Sequence, residues 1–403
     1  MVFSSKGVLK VASFNYFFVF IMVLVSGTPL IYKNKFNYAL IAILILFYSI
    51  IWLNRRIPLA PFLTIRVFAL TFISVYVIQF FVLGDASWLG LINNLLKMFF
   101  FSFVLFLLDG KFKYYYFNVM FYLSLIGLFF LSWSAITGIF IDLIPDGGVT
   151  NLIIANFETE RWRNSGPFWE PGAYGGYLML IPLFFLNELD YFKKHRFKTS
   201  ILFLSLLSTM STTAYLALGI YFGYVAFKSK LKILLVPVFL LLSVVVYSEF
   251  SFLKVKIIEE IERAETLDGE YHGQRFAVFL FDLQYIQKHP FIGNGFLETT
   301  RYADHLYLIE AFHNKDVEGH GNGFSNFIAS MGLITFILYF LLIYKKNKDH
   351  MSRMDLLFYL GMIGLLLNGE QFLYYPIFLG LPFLCLKPNS EFNGNDSSIA
   401  NRA

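Results

Sequence analysis

Three short polar stretches carry the side chains able to hold an anion or move a proton. The first is Arg161-Trp162-Arg163-Asn164-Ser165-Gly166-Pro167-Phe168-Trp169-Glu170-Pro171-Gly172. Two guanidinium groups can grip a phosphate through forked hydrogen bonds. Pro171 suits the first turn of a helix, which sets Glu170 at the positive end of its dipole. The same spacing also serves arginines that snorkel to lipid headgroups beside Trp162 and Trp169 in an interfacial belt. The second stretch, Gly273-Gln274-Arg275, opens a helix, where free N–H groups suit an anionic ligand. Arg275 there opposes the dipole unless an anion is near; a solvated loop arginine is the plain alternative. The third is Glu318-Gly319-His320-Gly321-Asn322-Gly323. Its glycines allow close backbone approach and His320 can exchange a proton near neutral pH. The plain alternative is a flexible loop whose Asn322 caps the next helix.

Other reactive residues point less clearly. His272, His289, His305, His313 and His320 all lie between residues 248 and 321, yet there is no H-E-x-x-H and no cysteine partner, so no metal site is expected. The lone Cys385 excludes a disulfide framework. Arg66 and Lys97 fall within apolar runs, where a charge is costly and invites a functional reading. Ser208, Thr209, Ser211, Thr212 and Thr213 form a hydroxyl cluster that helix packing explains equally well. Glu370 and Gln371 read as a solvated turn.

The elements that must position these groups are membrane helices. Apolar residues make up 57% of the 403 and charged residues 15%, with a mean hydropathy of +0.63. These values exclude an ordinary soluble domain. The net charge of +5 is small, and no basic cluster is interleaved with aromatics, so nucleic acid is not an expected partner. On the ruler of ~20 residues per span, the chain reads as an all-α polytopic membrane protein of about 12 helices. They fall at residues 12–32, 38–53, 59–83, 89–108, 117–141, 172–186, 200–209, 212–227, 231–247, 322–344, 354–368 and 372–386. The pair 200–209 and 212–227 is the least distinct, since it also fits one long bent helix. Lysine and arginine concentrate in alternate connecting segments, which the positive-inside rule places in the cytoplasm with both termini. The segments 142–169 and 248–321 then face outside, and the polar tail 388–403 reads as a disordered cytoplasmic end. The whole of 1–403 is read as one transmembrane domain.

The long loop has its own helical pattern. Phe252, Val255, Ile258 and Ile261 suggest an interfacial helix, and a second is predicted from Gln274 to Lys288. Phe276, Phe279, Leu280, Leu283 and Ile286 form its apolar face. His289-Pro290 ends it and Gly293-Asn294-Gly295 makes a turn.

Taken in order, G-P-F-W-E-P-G, a Ser/Thr turn, G-Q-R-F, K-H-P-F-I-G-N-G-F and G-H-G-N-G-F resemble the bacterial O-antigen and capsule polysaccharide polymerase family, of the O-antigen ligase superfamily. The resemblance covers roughly residues 161–333. It implies a membrane-embedded glycosyltransferase of the C type in the bacterial cytoplasmic (inner) membrane, multi-pass, with its active site outside. Such an enzyme polymerises undecaprenyl-diphosphate-linked oligosaccharide repeat units by inverting transfer, without metal or other cofactor. It implies as partners those lipid-linked oligosaccharides, membrane lipids, a chain-length regulator and a flippase. Such a reaction wants cations on the leaving diphosphate, and Arg275, the better match by family position, and Arg163 are the candidates, with Arg161 a substitute for Arg163. His320 matches the family histidine and is expected to act as a base or diphosphate contact, with Glu170 a second candidate base. Tyr271, Gln274, Tyr302 and Asn322 are expected to border the substrate. His313-Asn314 offers a competing match for the family histidine. Two other readings stand beside this one. A ligase carrying polysaccharide to lipid A core would use the same residues. A transporter or flippase of lipid-linked sugars would call for internal repeats or paired interrupted helices, neither of which the sequence displays.

Overall fold

The structure is a computed structural model that describes residues 5–28, 60–84, 88–108, 110–137, 163–228, 275–296, 301 and 322–388. The expected spans 38–53 and 231–247, the interfacial helix around 252–261 and the tail lie outside the described residues, as do Arg161, Tyr271, Gln274, Tyr302 and His320.

Among the described residues every regular element is helical. They are α1 (Ser5–Gly27), α2 (Ala60–Leu83), α3 (Trp88–Leu108), α4 (Phe112–Thr137) and α5 (Pro171–Phe184). A short α6 (Asp190–Lys194) leads to α7 (Arg196–Ser208) and α8 (Thr212–Lys228). Then come α9 (Arg275–Lys288), α10 (Gly323–Asn347), α11 (Arg353–Gly369) and a five-residue α12 (Pro376–Gly380). Among the described residues four stretches are long and apolar enough to cross a membrane: Leu63–Leu83, Trp88–Leu108, Phe112–Thr137 and Gly323–Asn347. Their outward faces expose Leu70, Phe81, Phe129, Ile136 and Leu341. So much bare apolar surface suits hydrocarbon rather than water.

Inside, the bundle is packed with aromatic rings. Tyr76, Tyr116, Tyr174, Tyr177, Tyr339 and Tyr359 are fully buried, and α5 is apolar on nearly every side because α4, α7, α8 and α11 surround it. The doubtful pair is two helices. Met210 at φ 48° turns the chain between α7 and α8, and the rings of Phe203 and Phe222 meet across the resulting hairpin.

The expected span 372–386 is not a helix. It is a 3₁₀ turn (Phe372–Tyr374), then α12, a second 3₁₀ turn (Leu381–Phe383) and an extended end. Pro376 and Pro382 remove two N–H donors, which hydropathy does not register. Irregular backbone survives at membrane depth only where protein satisfies it, and here neighbouring side chains do so. Ser26 Oγ accepts from Ile377 N at 3.2 Å, and Tyr339 donates its hydroxyl to Phe378 O at 2.7 Å. Asn347 brackets the extended end, donating to Leu384 O and accepting from Leu386 N.

The bundle has two unlike ends. One gathers Lys111, Lys113, Lys193, Lys194, Arg196, Lys198, Lys228, Lys345, Lys346, Lys348, Arg353 and Lys387 around the starts of α4, α7 and α11 and the ends of α8 and α10. Lys113 is buried there against Glu188 at 2.8 Å, and Lys228 meets Asp355 at 2.6 Å. The other end brings together the last turn of α1, the start of α5, the α7–α8 turn, the start of α10 and the end of α11.

Candidate functional site

At that second end, residues 163–170 form a rim built by short-range geometry. Asn164 Oδ1 accepts from Gly166 N at 2.8 Å, a local Asx turn. Gly166 sits at φ 53° with Tyr174 pressed against its Cα, so a side chain there would meet the ring. Phe168 stacks between Tyr174 and Tyr177, with ring centroids 5.1 and 4.9 Å away. Trp169 N donates to Gly27 O at 3.1 Å, tying the rim to α1. Glu170 then occupies the N-cap position of α5 in an extended conformation, without a side-chain capping bond, and Pro171 takes the first turn as the sequence predicts. Trp169 is buried against Tyr375, centroids 4.8 Å apart, so it belongs to the bundle interior and not to a lipid-facing belt.

The hydroxyl cluster is the joint on which this rim rests. Asn164 N donates to Ser208 O at 2.8 Å and its Nδ2 to Ser208 Oγ at 2.9 Å. Arg163, half-buried, donates Nε to Thr209 O at 3.2 Å. Ser211 Oγ accepts from Ala214 N at 3.3 Å, capping α8. A side chain added at Gly369 would press on Thr213, which carries the joint on to the end of α11.

Across the joint lies the start of α10. Asn322 caps it, accepting from Ser325 N at 3.1 Å, and donates Nδ2 to Asn368 Oδ1 at 2.7 Å. Its role as a cap, left open by the sequence, is therefore shown. Ser325 Oγ donates to Asp282 Oδ2 at 2.6 Å, and Asp282 is 0% exposed. Replacing Asn322 with alanine removes both contacts and is expected to cost about 1–2 kcal/mol of stability, read as a lowered midpoint of thermal unfolding.

Asp282 belongs to α9, which begins at Arg275 and ends before His289-Pro290, close to the expected 274–288. The buried line of this helix runs through Asp282 and Tyr285. The apolar face centred on Phe279, Leu283 and Ile286 is only partly covered, because α9 meets α10 through a polar clamp. Arg275 precedes Asp282 by close to two turns, so both Cα positions stand on one side of the helix.

Beyond α9 the chain does not stay at the surface. The turn 289–296 wedges into a break in α10 at Gly332, whose φ of 74° and ψ of 168° interrupt the helix. Backbone groups on both sides of the break find partners in the wedge. Asn294 N donates to Ala329 O at 2.7 Å and Gly295 N to Ser330 O at 3.0 Å. Leu333 N donates to Pro290 O at 2.8 Å and Ile334 N to Phe291 O at 3.3 Å. Gln79 of α2 donates to both Ile292 O and Ser330 O. Gly293, at φ 73°, has no room for a side chain against Ser330. Arg301, 5% exposed, donates Nη1 to Gly295 O at 3.3 Å.

Thus Arg163, Glu170 and Asn322 stand at one end, and Arg275 heads the helix clamped to the start of α10. Sequence reasoning missed Asp282, Gln79 and Arg301. Gln79 was legible as a polar residue within a span, whereas Asp282 and Arg301 sit in a polar loop where nothing distinguishes them. Glu370, read as solvated, is buried with its carbonyl against Gly323. Arg66 is exposed on the outer face of α2 near its start, as a snorkelling side chain would be. Among the described residues no three His, Cys, Asp or Glu side chains gather as a metal site. The chain matches no family model and none of the curated proteins.

Proposed function

We propose that this protein is a membrane-embedded glycosyltransferase that extends polyprenyl-diphosphate-linked oligosaccharides at the outer face of a bacterial cytoplasmic membrane. The observation that carries this reading is the meeting, at the end away from the basic belt, of the arginine rim, the hydroxyl joint and the start of α10, with α9 clamped beside them. By the positive-inside rule the basic belt supports a cytoplasmic assignment for its own end and, with it, an outer one for the site.

In the proposed reaction an acceptor hydroxyl attacks the anomeric carbon of the donor. The bond from that carbon to the lipid diphosphate breaks with inversion, and the hydroxyl proton passes to a base, His320 or Glu170. Negative charge grows on the departing diphosphate, and fixed cations held in a water-poor place lower that barrier most. Arg275 and Arg163 take that role, with Arg161 able to replace Arg163; Tyr271, Gln274, Tyr302 and Asn322 border the sugars.

The interrupted α10 and the broken 372–386 segment are features that a transporter of lipid-linked sugars would also have, and the sequence did not display them. In transporters such unwound carbonyls coordinate the coupling ion. Here Ala329 O, Ser330 O and Tyr374 O are each taken by a protein donor, which favours the enzyme.

The test is purified protein in proteoliposomes with synthetic undecaprenyl-diphosphate repeat units, products resolved by size. A ladder of longer lipid-linked chains is expected. Transfer only when lipid A core is added would make the protein a ligase. Export of unchanged substrate without new bonds would overturn the enzyme reading.

A further inference from the structure

The most exceptional charge in the bundle is Lys97. It lies mid-way along α3, is 8% exposed, and donates Nζ to Tyr374 O at 2.6 Å, with the Tyr375 ring centroid 5.8 Å away. An ammonium has three donors, and no carboxylate among the described residues pairs with this one. The contrast within the same bundle is sharp, since Lys113 and Lys228 each have an acid partner. A cation buried without a counter-charge is costly in a membrane, and a charge kept there points to a function.

A second observation falls on the same helix. Asn93 and Asn94 precede Lys97 by one turn, and the Oδ1 atoms of both are buried without a hydrogen-bond partner. Asn94 Nδ2 is occupied by Gly90 O at 2.9 Å. Buried acceptors left open one helical turn from an ammonium without a counter-charge ask for a ligand carrying both hydroxyl donors and phosphate oxygens. Tyr374 and Tyr375 connect this place to the site, because Tyr375 stacks on Trp169 of the rim and Tyr374 shares a 2.6 Å hydrogen bond with Ser330 at the break in α10.

We infer that Lys97 takes a phosphate oxygen of a lipid-linked glycosyl phosphate, with Asn93 and Asn94 accepting from hydroxyls of the attached sugar. The inference rests on the substrate class proposed above. The bland role for Lys97, a tether for the Tyr374 carbonyl, is separable by substitution. Lys97→Gln keeps a donor for that carbonyl and removes the charge, whereas Lys97→Arg keeps both.

The experiment measures binding of undecaprenyl diphosphate to the full-length protein in phosphatidylcholine nanodiscs. Lys97→Gln is expected to weaken binding about tenfold or more and Lys97→Arg to change it by about threefold at most. Inorganic pyrophosphate is expected to compete, and phosphatidylglycerol added to the nanodisc is not. Competition by phosphatidylglycerol would reveal a site for bulk lipid headgroups and overturn the inference. Equal binding by wild type and Lys97→Gln would overturn it while leaving the proposed function standing; no binding by the wild type would overturn both. Hydrogen exchange on the wild type gives a reading independent of any variant's folding. Undecaprenyl diphosphate is expected to slow exchange at residues 372–379, and unchanged exchange there counts against the subsite.

Discussion

Gly332→Ala is expected to lose about 4 kcal/mol or more of stability. Two causes act together. A φ of 74° with ψ of 168° belongs to a region that only glycine occupies without strain, which alone costs about 1–3 kcal/mol. The added Cβ would also run into the Phe291 carbonyl and the Ile292 backbone, neither of which can step aside as a flexible side chain would. The wedge must then withdraw, surrendering the bonds from Leu333 N to Pro290 O and from Asn294 N to Ala329 O. Thermal unfolding in nanodiscs measures the loss. Gly361→Ala is the control, because nothing lies within 4 Å of its would-be Cβ in α11. There alanine should be neutral or stabilise by up to about 1 kcal/mol. A Gly332→Ala protein melting with the wild type would show that the break in α10 is not required.

Arg275→Ala should separate activity from stability. At the first position of α9 a positive charge opposes the helix dipole, so its removal should leave the melting midpoint unchanged or raise stability by about 0.3–1 kcal/mol. If the residue steadies the departing diphosphate, the same change should slow chain extension about 10²–10³-fold. Arg275→Lys should recover only part of the rate, since an ammonium cannot reproduce the forked contact. Product ladders from matched proteoliposomes decide the matter. A full ladder from Arg275→Ala would remove this arginine from the reaction.

Residue-level comparison explains what the sequence could disclose. Helices α2 and α3 were legible almost to the residue because their apolar runs are long and uninterrupted. The predicted start of α4 at residue 117 was late, since Lys113 looks like a connecting-segment charge until Glu188 is seen beside it. The run 372–386 misled because hydropathy sums apolar content and ignores what Pro376 and Pro382 do to backbone bonding. The break at Gly332 was invisible for a different reason. Met331-Gly332-Leu333 reads as helix interior, and the turn that fills it comes some forty residues earlier. At the site, Glu170 before Pro171 and Asn322 before Gly323 announce themselves as helix starts. The clamp from Asp282 to Ser325 does not, because it depends on two segments meeting in space. Lys97 stood out, as did Arg66, because each is a charge in an apolar run.

The wedge also bears on biogenesis. Gln79 leaves the ribosome some 250 residues before Ser330, whose carbonyl it finally serves. Through most of translation α2 therefore sits in the bilayer with an amide whose lasting partner has not been made. The turn 289–296 waits likewise for Ala329 and Ser330. This end of the molecule closes only when α10 arrives, so its assembly is a late step, and nascent chains stopped before residue 329 leave both partners unserved.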